Sequence, residues 1–478
     1  MQLLSFNFLV LFTLCFILYY ALKDRFRNAL LLVVSFVFIG WYHLPFLLTA
    51  IAVALYTFFM AQWIERRDTQ NKSVKGIYVT SIAGLIVGWL FFHYSSFSLG
   101  IIHNLVPFAS SGSLSESLII PLGMSFYTFQ AIGYLTDVYW QEHRAERNPV
   151  DFMLYMLFFM KFLSGPIERG GTMLAQLKNP KPFEYSSVVL GLKLIFLGLF
   201  KKLLIANHIT PYTNAMFSSV HDLSGVQLLM LCLIYPIELY ADFSGYTDIA
   251  IGGARMFGIE LSPNFDNPFA SRSTSELWRR WHMSLSFWVR DYLYVPLTAT
   301  TRAWGQWGVF FSLIATFVAL GMWHGAGWTF AIYGLIQGLI ICIETRYPHF
   351  SSSLKKVAGV RMGNALMIIR TYLLFAVSLI FFRISSIHDA FYFLRNISFS
   401  VHHTWKEMSI GISDHSCIVA GSALLLLLVY ENFTSKQDMG KAQERYPALL
   451  RWSIYYLLVF VLILFGKFGT DSFIYLQF

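Results

Sequence analysis

The sequence predicts an all-α polytopic membrane protein, and three observations carry that prediction. Of its 478 residues, 56% are hydrophobic, 18% aromatic and only 13% charged, and the mean hydropathy is +0.57, far from the balance of a soluble domain. Apolar runs recur from end to end, most of them about 17 to 25 residues long, enough for a helix to cross a hydrocarbon core of roughly 30 Å. No polar stretch between them is long enough for a soluble domain, and a chain in lipid must satisfy its backbone internally, as helices do.

In order, the apolar runs place spans at 3–22, 29–41, 45–63, 77–94, 118–140, 188–204, 227–250, 306–323, 328–344, 365–382, 416–432 and 452–468. The run 29–41 is too short to cross unaided. A further apolar stretch, 152–167, ends in Ser164-Gly165-Pro166 and reads as re-entrant, since irregular backbone at membrane depth is tolerated only inside protein or along a cavity. About 11 to 13 membrane segments follow. The first run lacks a basic start and an A-x-A site and is followed by Lys23 and Arg25, so it reads as a retained helix, not a signal peptide.

Most of the 35 Lys and Arg residues fall in 23–28, 65–75, 141–150, 168–187, 252–305, 345–364 and 433–451, and few in 95–117, 205–226 and 383–415. That bias places the first set in the cytoplasm and both termini outside. Lys201-Lys202 break the pattern, falling towards the outer end of their span. The net charge of +9 comes from short clusters flanking helices, which suits topology and anionic lipid head groups and not nucleic acid.

Cys15, Cys232, Cys342 and Cys417 are far apart with no CxxC, so neither a disulfide framework nor a zinc site is expected. The 13 histidines show no HExxH spacing, and His402-His403 have no third ligand nearby, so no metal is expected. No fixed-period repeat or inverted pair of halves is visible, which argues against a transporter. The chain reads as one integral membrane domain, 1–478, with its chemistry concentrated at about 236–345.

In that central part, Tyr240-Ala-Asp242-Phe-Ser-Gly-Tyr246-Thr-Asp248 sets two carboxylates around a glycine that permits a kink or close packing. Asp242 is as well read as a structural group as a functional one. After the turn-rich Ser262-Pro-Asn264-Phe-Asp266-Asn-Pro268-Phe, Ser273 and Glu276 match a capping box and predict a helix running to about Leu293. Trp278, Trp281, Leu285 and Trp288 then share one face, with His282 and Ser286 on an adjacent stripe. The tryptophans suit packing or an interfacial belt as well as a substrate platform. Arg279 and Arg290 suit inside-positive anchors as well as holders of donor phosphates.

Gly321-Met-Trp323-His324-Gly-Ala-Gly-Trp328 separates two apolar spans without a charged residue. An imidazole at membrane depth is costly unless it faces a cavity or partner, and its ordinary pKa suits proton transfer near neutral pH. His324 and His282 are therefore the candidate catalytic pair.

The run from Asp242-Phe-Ser-Gly-Tyr-Thr-Asp248, through Asn264-Phe and Pro268-Phe, to Trp281-His282-Met-Ser-Leu-Ser-Phe-Trp288-Val-Arg-Asp291 and Trp323-His324-Gly resembles the membrane-bound O-acyltransferases. Tyr19-Tyr20, Arg27-Asn28, Pro121-Leu-Gly-Met-Ser-Phe-Tyr127, Gly165-Pro166-Ile, Phe200-Lys-Lys202, Phe381-Phe-Arg383 and Phe473-Ile-Tyr-Leu-Gln-Phe478 are similar to their bacterial alginate O-acetyltransferase branch. The resemblance implies a ring of helices around a thinned centre with a central tunnel. It also implies acyl, above all acetyl, transfer from a cytoplasmic thioester (acetyl-CoA or an acyl carrier protein), with no bound cofactor. The acceptor would be an extracellular or periplasmic polysaccharide such as alginate, reached through a periplasmic acetyltransferase partner, and the home a bacterial inner membrane.

By the same resemblance His324 is the general base, and His282 positions the acyl group or stabilises developing charge. Trp281, Trp323, Arg279, Arg290, Asp291, Asp242 and Asn264 are the candidate substrate or donor contacts. No acid lies within a turn of His324, so an orienting carboxylate must come from elsewhere, with Asp242 and Asp291 as candidates. The neighbouring branch, which transfers D-alanine to teichoic acid, shares the central motifs, and other relatives acetylate peptidoglycan or cellulose. A many-span transporter and a scaffold subunit are the non-enzyme readings that the same features admit.

Overall fold

The computed structural model describes residues 4–70, 72–94, 123–348, 350–398, 413–433 and 447–469. The start of the predicted span 118–140, the pair His402-His403 and the motif Phe473 to Phe478 lie outside the described residues. Among those described, the chain is helical with no strand, as the apolar runs predict. Among the described residues, nine helices are long and apolar enough to cross a membrane: Asp24–Tyr42, Leu44–Asp68, Lys75–His93, Gly225–Met256, Gln306–His324, Trp328–Arg346, Val360–Arg383, Asp414–Glu431 and Ala448–Phe465. Phe6–Ala21, Met124–Tyr139 and Tyr185–Phe200 follow the remaining predicted runs at 16 residues each.

The second helix corrects an expectation. Where the apolar run alone measured 29–41, the helix spans 19 residues from Asp24 to Tyr42, because its first turn is polar. Asp24 there complements the helix dipole and pairs with Arg27 at 3.0 Å. The Arg27 guanidinium in turn lies over the Tyr19 and Tyr20 rings.

By contact the chain divides into two compact units, Met1–Leu192 with Ala250–Ser262, and Lys193–Ile249 with Pro263–Phe478. In the first, helix Pro149–Leu157 stops and 158–169 runs on without helix, while every residue from 151 to 168 is buried. Buried polar partners make that irregular backbone tenable. Lys161 Nζ donates to Gln130 Oε1 at 2.6 Å, and the Gln130 amide donates to the Tyr155 carbonyl at 2.7 Å. Glu168 accepts from the amide and hydroxyl of Ser262 at 2.6 and 3.0 Å. Gly165 fits because a Cβ there would fall 2.4 Å from Lys161 Cα.

In the second unit, glycines set how closely helices approach. A Cβ on Gly198 would stand 2.4 Å from the Gly245 carbonyl oxygen, so the predicted close packing at Gly245 is present. Gln306–His324 and Trp328–Arg346 form a tight hairpin in which a Cβ on Gly321 would meet Phe330 O at 2.2 Å and one on Gly334 would meet Phe317 O at 2.1 Å. Small residues let helix backbones touch where lipid supplies no hydrophobic drive.

Lys201 and Lys202, which broke the charge pattern, are buried on a π-helical segment, Lys201–Ala206. Lys201 bonds Asp248 at 2.9 Å and lies 3.4 Å from Glu431; Lys202 bonds Asp242, and Tyr240 donates to Glu431. Charges neutralised inside protein carry no topological signal, because they do not have to choose a side of the membrane.

Candidate active site

The two histidines are presented by different devices. The predicted continuous helix from Ser273 to Leu293 is in fact broken. Ser273 caps Thr274–Arg280, accepting from Glu276 N at 3.1 Å, but the helix ends at Trp281. His282 adopts φ 43° and ψ 54°, left-handed for a non-glycine residue, and a new helix runs from Met283 to Val289. Trp278 and Trp281 therefore do not share one continuous helical stripe with Leu285 and Trp288.

Asn264 explains the break. Its carbonyl oxygen accepts from Met283 N at 2.9 Å, and its side-chain Oδ1 accepts from Ser284 N at 3.1 Å, Ser284 Oγ at 2.8 Å and His282 Nδ1 at 3.1 Å. Asn264 thus caps the new helix from 18 residues upstream, satisfying amide donors that a helix start leaves open. A backbone N–H only donates, so the amide atom facing Ser284 N is the oxygen. The same oxygen faces His282 Nδ1, which therefore carries the ring proton. His282 lies outside the nine membrane-length helices, and burial, with His324 adding to it, holds its pKa well below the ordinary imidazole range. The ring is neutral.

His324 is the last residue of Gln306–His324, and Gly325 ends that helix in extended backbone. Gly321, one turn before it, serves the close packing of the hairpin. His324 is buried, with its ring centroid 4.7 Å from Trp323, 5.1 Å from Phe382 and 6.5 Å from Tyr333. Both histidines line one small cavity together with Leu239, Trp278, Trp281, Tyr333, Phe375, Leu379 and Phe382. Its volume of about 10 Å³ is room for roughly one water molecule. Five elements contribute to this wall, and the tyrosine hydroxyl is its polar group besides the imidazoles and indoles.

The aromatic wall is itself braced. Trp278 Nε1 donates to Gln337 Oε1 at 2.9 Å, Gln337 Nε2 to Ser378 Oγ at 2.7 Å, and Ser378 Oγ to the Phe375 carbonyl at 2.6 Å. Trp281 packs against Phe265, Phe375 and Phe269 at centroid distances of 5.2, 5.1 and 6.2 Å. Sequence reading passed over Tyr333, Gln337, Ser284 and Phe382. A lone glutamine in an apolar run was a legible signal for Gln337; Ser284 and Phe382 lay inside the motifs that carry the family resemblance without being singled out, and nothing local marked Tyr333.

The remaining predicted contacts separate. Trp281 lines the cavity and Trp323 packs on His324. Asp242 is buried in its pair with Lys202, so its charge is met by an ammonium. Asp291 pairs with the exposed Arg290 at 2.7 Å, and Arg290 also covers the Phe287 ring; Arg279 is exposed. Asn264 serves His282. Among the described residues, no group of three or more His, Cys, Asp or Glu could hold a metal ion.

Fold and site together define a polytopic helical membrane protein with an internal two-histidine cavity. The profile of the membrane-bound O-acyltransferase family matches residues 141–386, which include both histidines and every residue lining the cavity. A probable alginate O-acetylase of Pseudomonas aeruginosa is 30% identical over 432 residues, 90% of this chain and 81% of that protein. A peptidoglycan O-acetyltransferase of Helicobacter pylori is 32% identical over 423 residues, 82% of this chain and 78% of its own. A teichoic acid D-alanyltransferase of Streptococcus thermophilus is 29% identical over 256 residues, 51% of this chain and 61% of its own. The chain belongs to the membrane-bound O-acyltransferase family and is a multi-pass membrane acyltransferase.

Proposed function

We propose that this protein moves an acetyl group from a cytoplasmic thioester, acetyl-CoA or an acyl carrier protein, across a bacterial inner membrane for O-acetylation of an extracellular or periplasmic polysaccharide such as alginate. One observation carries the chemistry: two buried imidazoles line a single cavity that is otherwise mostly apolar. The similarity to a probable alginate O-acetylase runs through 90% of the chain, whereas similarity to the D-alanyltransferase covers 51%, which favours acetyl over D-alanyl transfer. A periplasmic acetyltransferase is the natural partner for handing the acetyl group to the polymer, with both termini of this chain on that side.

His324 acts as general base. The acceptor O–H bond breaks as its oxygen attacks the thioester carbonyl, and the proton goes to the imidazole. The C–S bond then breaks, the sulfur leaves with the electron pair, and the imidazolium returns the proton to it. Arg290 and Arg279 are exposed in the 252–305 segment, which supports assigning them to donor phosphates. Shielding the carbonyl from bulk water protects the thioester from hydrolysis. The cavity as it stands does not admit an acetyl group, so its aromatic walls must part for the donor.

The test is transfer of radiolabelled acetyl from the thioester donor to polymer in membranes carrying parental protein, His324→Ala, His324→Gln or His282→Gln at matched levels. Loss of labelled polymer with either histidine replaced is expected. Transfer at the parental rate by His324→Gln would remove the base assignment. Label recovered in peptidoglycan instead of exopolysaccharide would rename the acceptor.

A further inference from the structure

We propose that Arg370 is a contact for the phosphate of the thioester donor, and that Glu344, its partner in the structure, is a positioning residue that latches the helix bearing Trp278 over the cavity until that phosphate arrives. The inference rests on the reading of the two-histidine cavity as the acyl-transfer site. The cavity is too small for an acetyl group as it stands, and Trp278 and Trp281 form part of its wall. What holds those two tryptophans in place is therefore what the donor has to loosen.

Helix Thr274–Arg280, which carries Trp278 and ends at Trp281, is held at its start by one carboxylate. Both oxygens of Glu344 accept from Thr274 N at 3.0 Å, and Oε2 also accepts from Ser275 N at 3.3 Å. With Ser273 Oγ taking Glu276 N, these bonds satisfy the leading amide donors that a helix start leaves open. Arg370 fixes the carboxylate in turn: its Nη2 donates to Glu344 Oε1 at 2.6 Å and to the Arg272 carbonyl at 3.4 Å. Further along the same two helices, Gln337 accepts from Trp278 Nε1 and donates to Ser378 Oγ. Gln337 and Glu344 share one face of their helix by spacing, as do Arg370 and Ser378. The Trp278 helix is thus tied to the same two neighbours twice, by an inner bridge of amide and hydroxyl and an outer bridge of opposite charges.

The bridges differ in what can open them. Gln337 and Ser378 are fully buried, whereas the Arg370 side chain is 29% exposed, so a charged ligand can reach the outer bridge alone. A guanidinium binds carboxylate and phosphate through the same fork of donors, and an ion pair at a wet edge resists such an exchange only weakly. The surroundings favour an anion. Arg272, whose carbonyl Arg370 touches, and Arg346, which ends the helix of Glu344, are both exposed, and both fall in segments that the charge bias assigns to the cytoplasm, the side of the donor. A phosphate one pantetheine arm from the thioester is common to acetyl-CoA and to an acyl carrier protein. When it takes Arg370, Glu344 loses the partner that fixes its side chain, the Thr274 and Ser275 amides lose their hold, and Trp278 and Trp281 can part. A ligand shifts such a two-state element only by preferring one state, and the phosphate prefers the one with Arg370 released. No covalent bond changes; one guanidinium exchanges a carboxylate for a phosphate.

Two measurements test the proposal. In acetyl transfer, KM is compared for S-acetyl-phosphopantetheine and S-acetyl-pantetheine, which differ by the phosphate alone. The parental protein is expected to prefer the phosphorylated donor. Glu344→Gln keeps an oxygen for Thr274 N and offers Arg370 no charge, so its preference should be about tenfold larger, whereas Arg370→Ala should lose the preference. A parental preference in Arg370→Ala, or none beyond the parental one in Glu344→Gln, overturns the latch, since a merely structural pair affects both donors alike. In the parental protein in detergent, hydrogen exchange of the 272–281 segment is followed with and without coenzyme A or holo acyl carrier protein. Faster exchange at Thr274 and Ser275 with either one is expected; exchange unchanged or slowed with both overturns the proposal. That readout needs no acetyl transfer, so the latch and the proposed function fail separately, and it decides should a variant not insert.

Discussion

Two buried polar regions of the same unit differ in how they balance their polarity. Around Lys201 and Lys202, two ammonium groups meet Asp242, Asp248 and Glu431, with Tyr240 donating to Glu431. Around His282 and His324 no carboxylate or ammonium lines the cavity, and the wall is mostly aromatic and aliphatic. A satisfied ionic cluster is rigid and has no protonation state to spare, because changing any member leaves a buried charge alone. An imidazole, by contrast, can gain and return a proton near neutral pH. Strong charge pairing thus marks where the fold is held, and the charge-poor cavity marks where chemistry is expected.

The largest effect should come from the cavity. His324→Ala is expected to lower acetyl transfer about 10²- to 10⁴-fold while membrane level and thermal stability in detergent stay near parental; a stability loss as large as the activity loss would erase the contrast between the regions. In the ionic cluster the order reverses. Asp242→Asn removes the carboxylate bonded to buried Lys202 and should cost about 3–5 kcal/mol, read as a drop in Tm. Pairing it with Lys202→Met, which removes the stranded charge, should restore most of that stability. If stability returns and transfer does not, the cluster takes part in the chemistry and the division is wrong.

Gln337→Leu cuts the chain from Trp278 to Ser378 and should destabilise by about 1–3 kcal/mol, with a matching fall in transfer because Trp278 forms the cavity wall. Smaller still is the pH effect of His282. Its folded pKa is depressed, so below about pH 6.5 the unfolded ring binds a proton that the folded ring refuses, and stability should fall by about 1.4 kcal/mol per pH unit. His282→Gln should flatten that slope in a denaturation series. Arg290→Ala breaks an exposed pair and should change stability by less than about 1 kcal/mol. A raised KM for the thioester donor would place Arg290 on its phosphates, and an unchanged KM would leave it an anchor.

The helices were legible because an apolar run needs no partner to declare itself; Gln306–His324 and Trp328–Arg346 match the predicted 306–323 and 328–344 almost residue for residue. Both histidines were legible for the same reason, as polar rings in an apolar context. The helix start at Asp24 was missed because its first turn is held by Arg27 and the Tyr19 and Tyr20 rings, not by hydropathy. The continuous helix through Trp281 and His282 was a reasonable reading of local periodicity. It failed because Asn264, distant in sequence, supplies the cap that lets His282 take a left-handed conformation.

By itself, then, the sequence determined the class of protein, the helices and the two imidazoles, since hydropathy and residue chemistry act locally. Tertiary structure alone decided that Lys201 and Lys202 are internal counter-ions, that Asn264 bonds His282 and Ser284, and that both histidines face one cavity. Those outcomes depend on which side chains meet after helices pack, and a hydrogen bond or ion pair exists only when distance and direction are satisfied together.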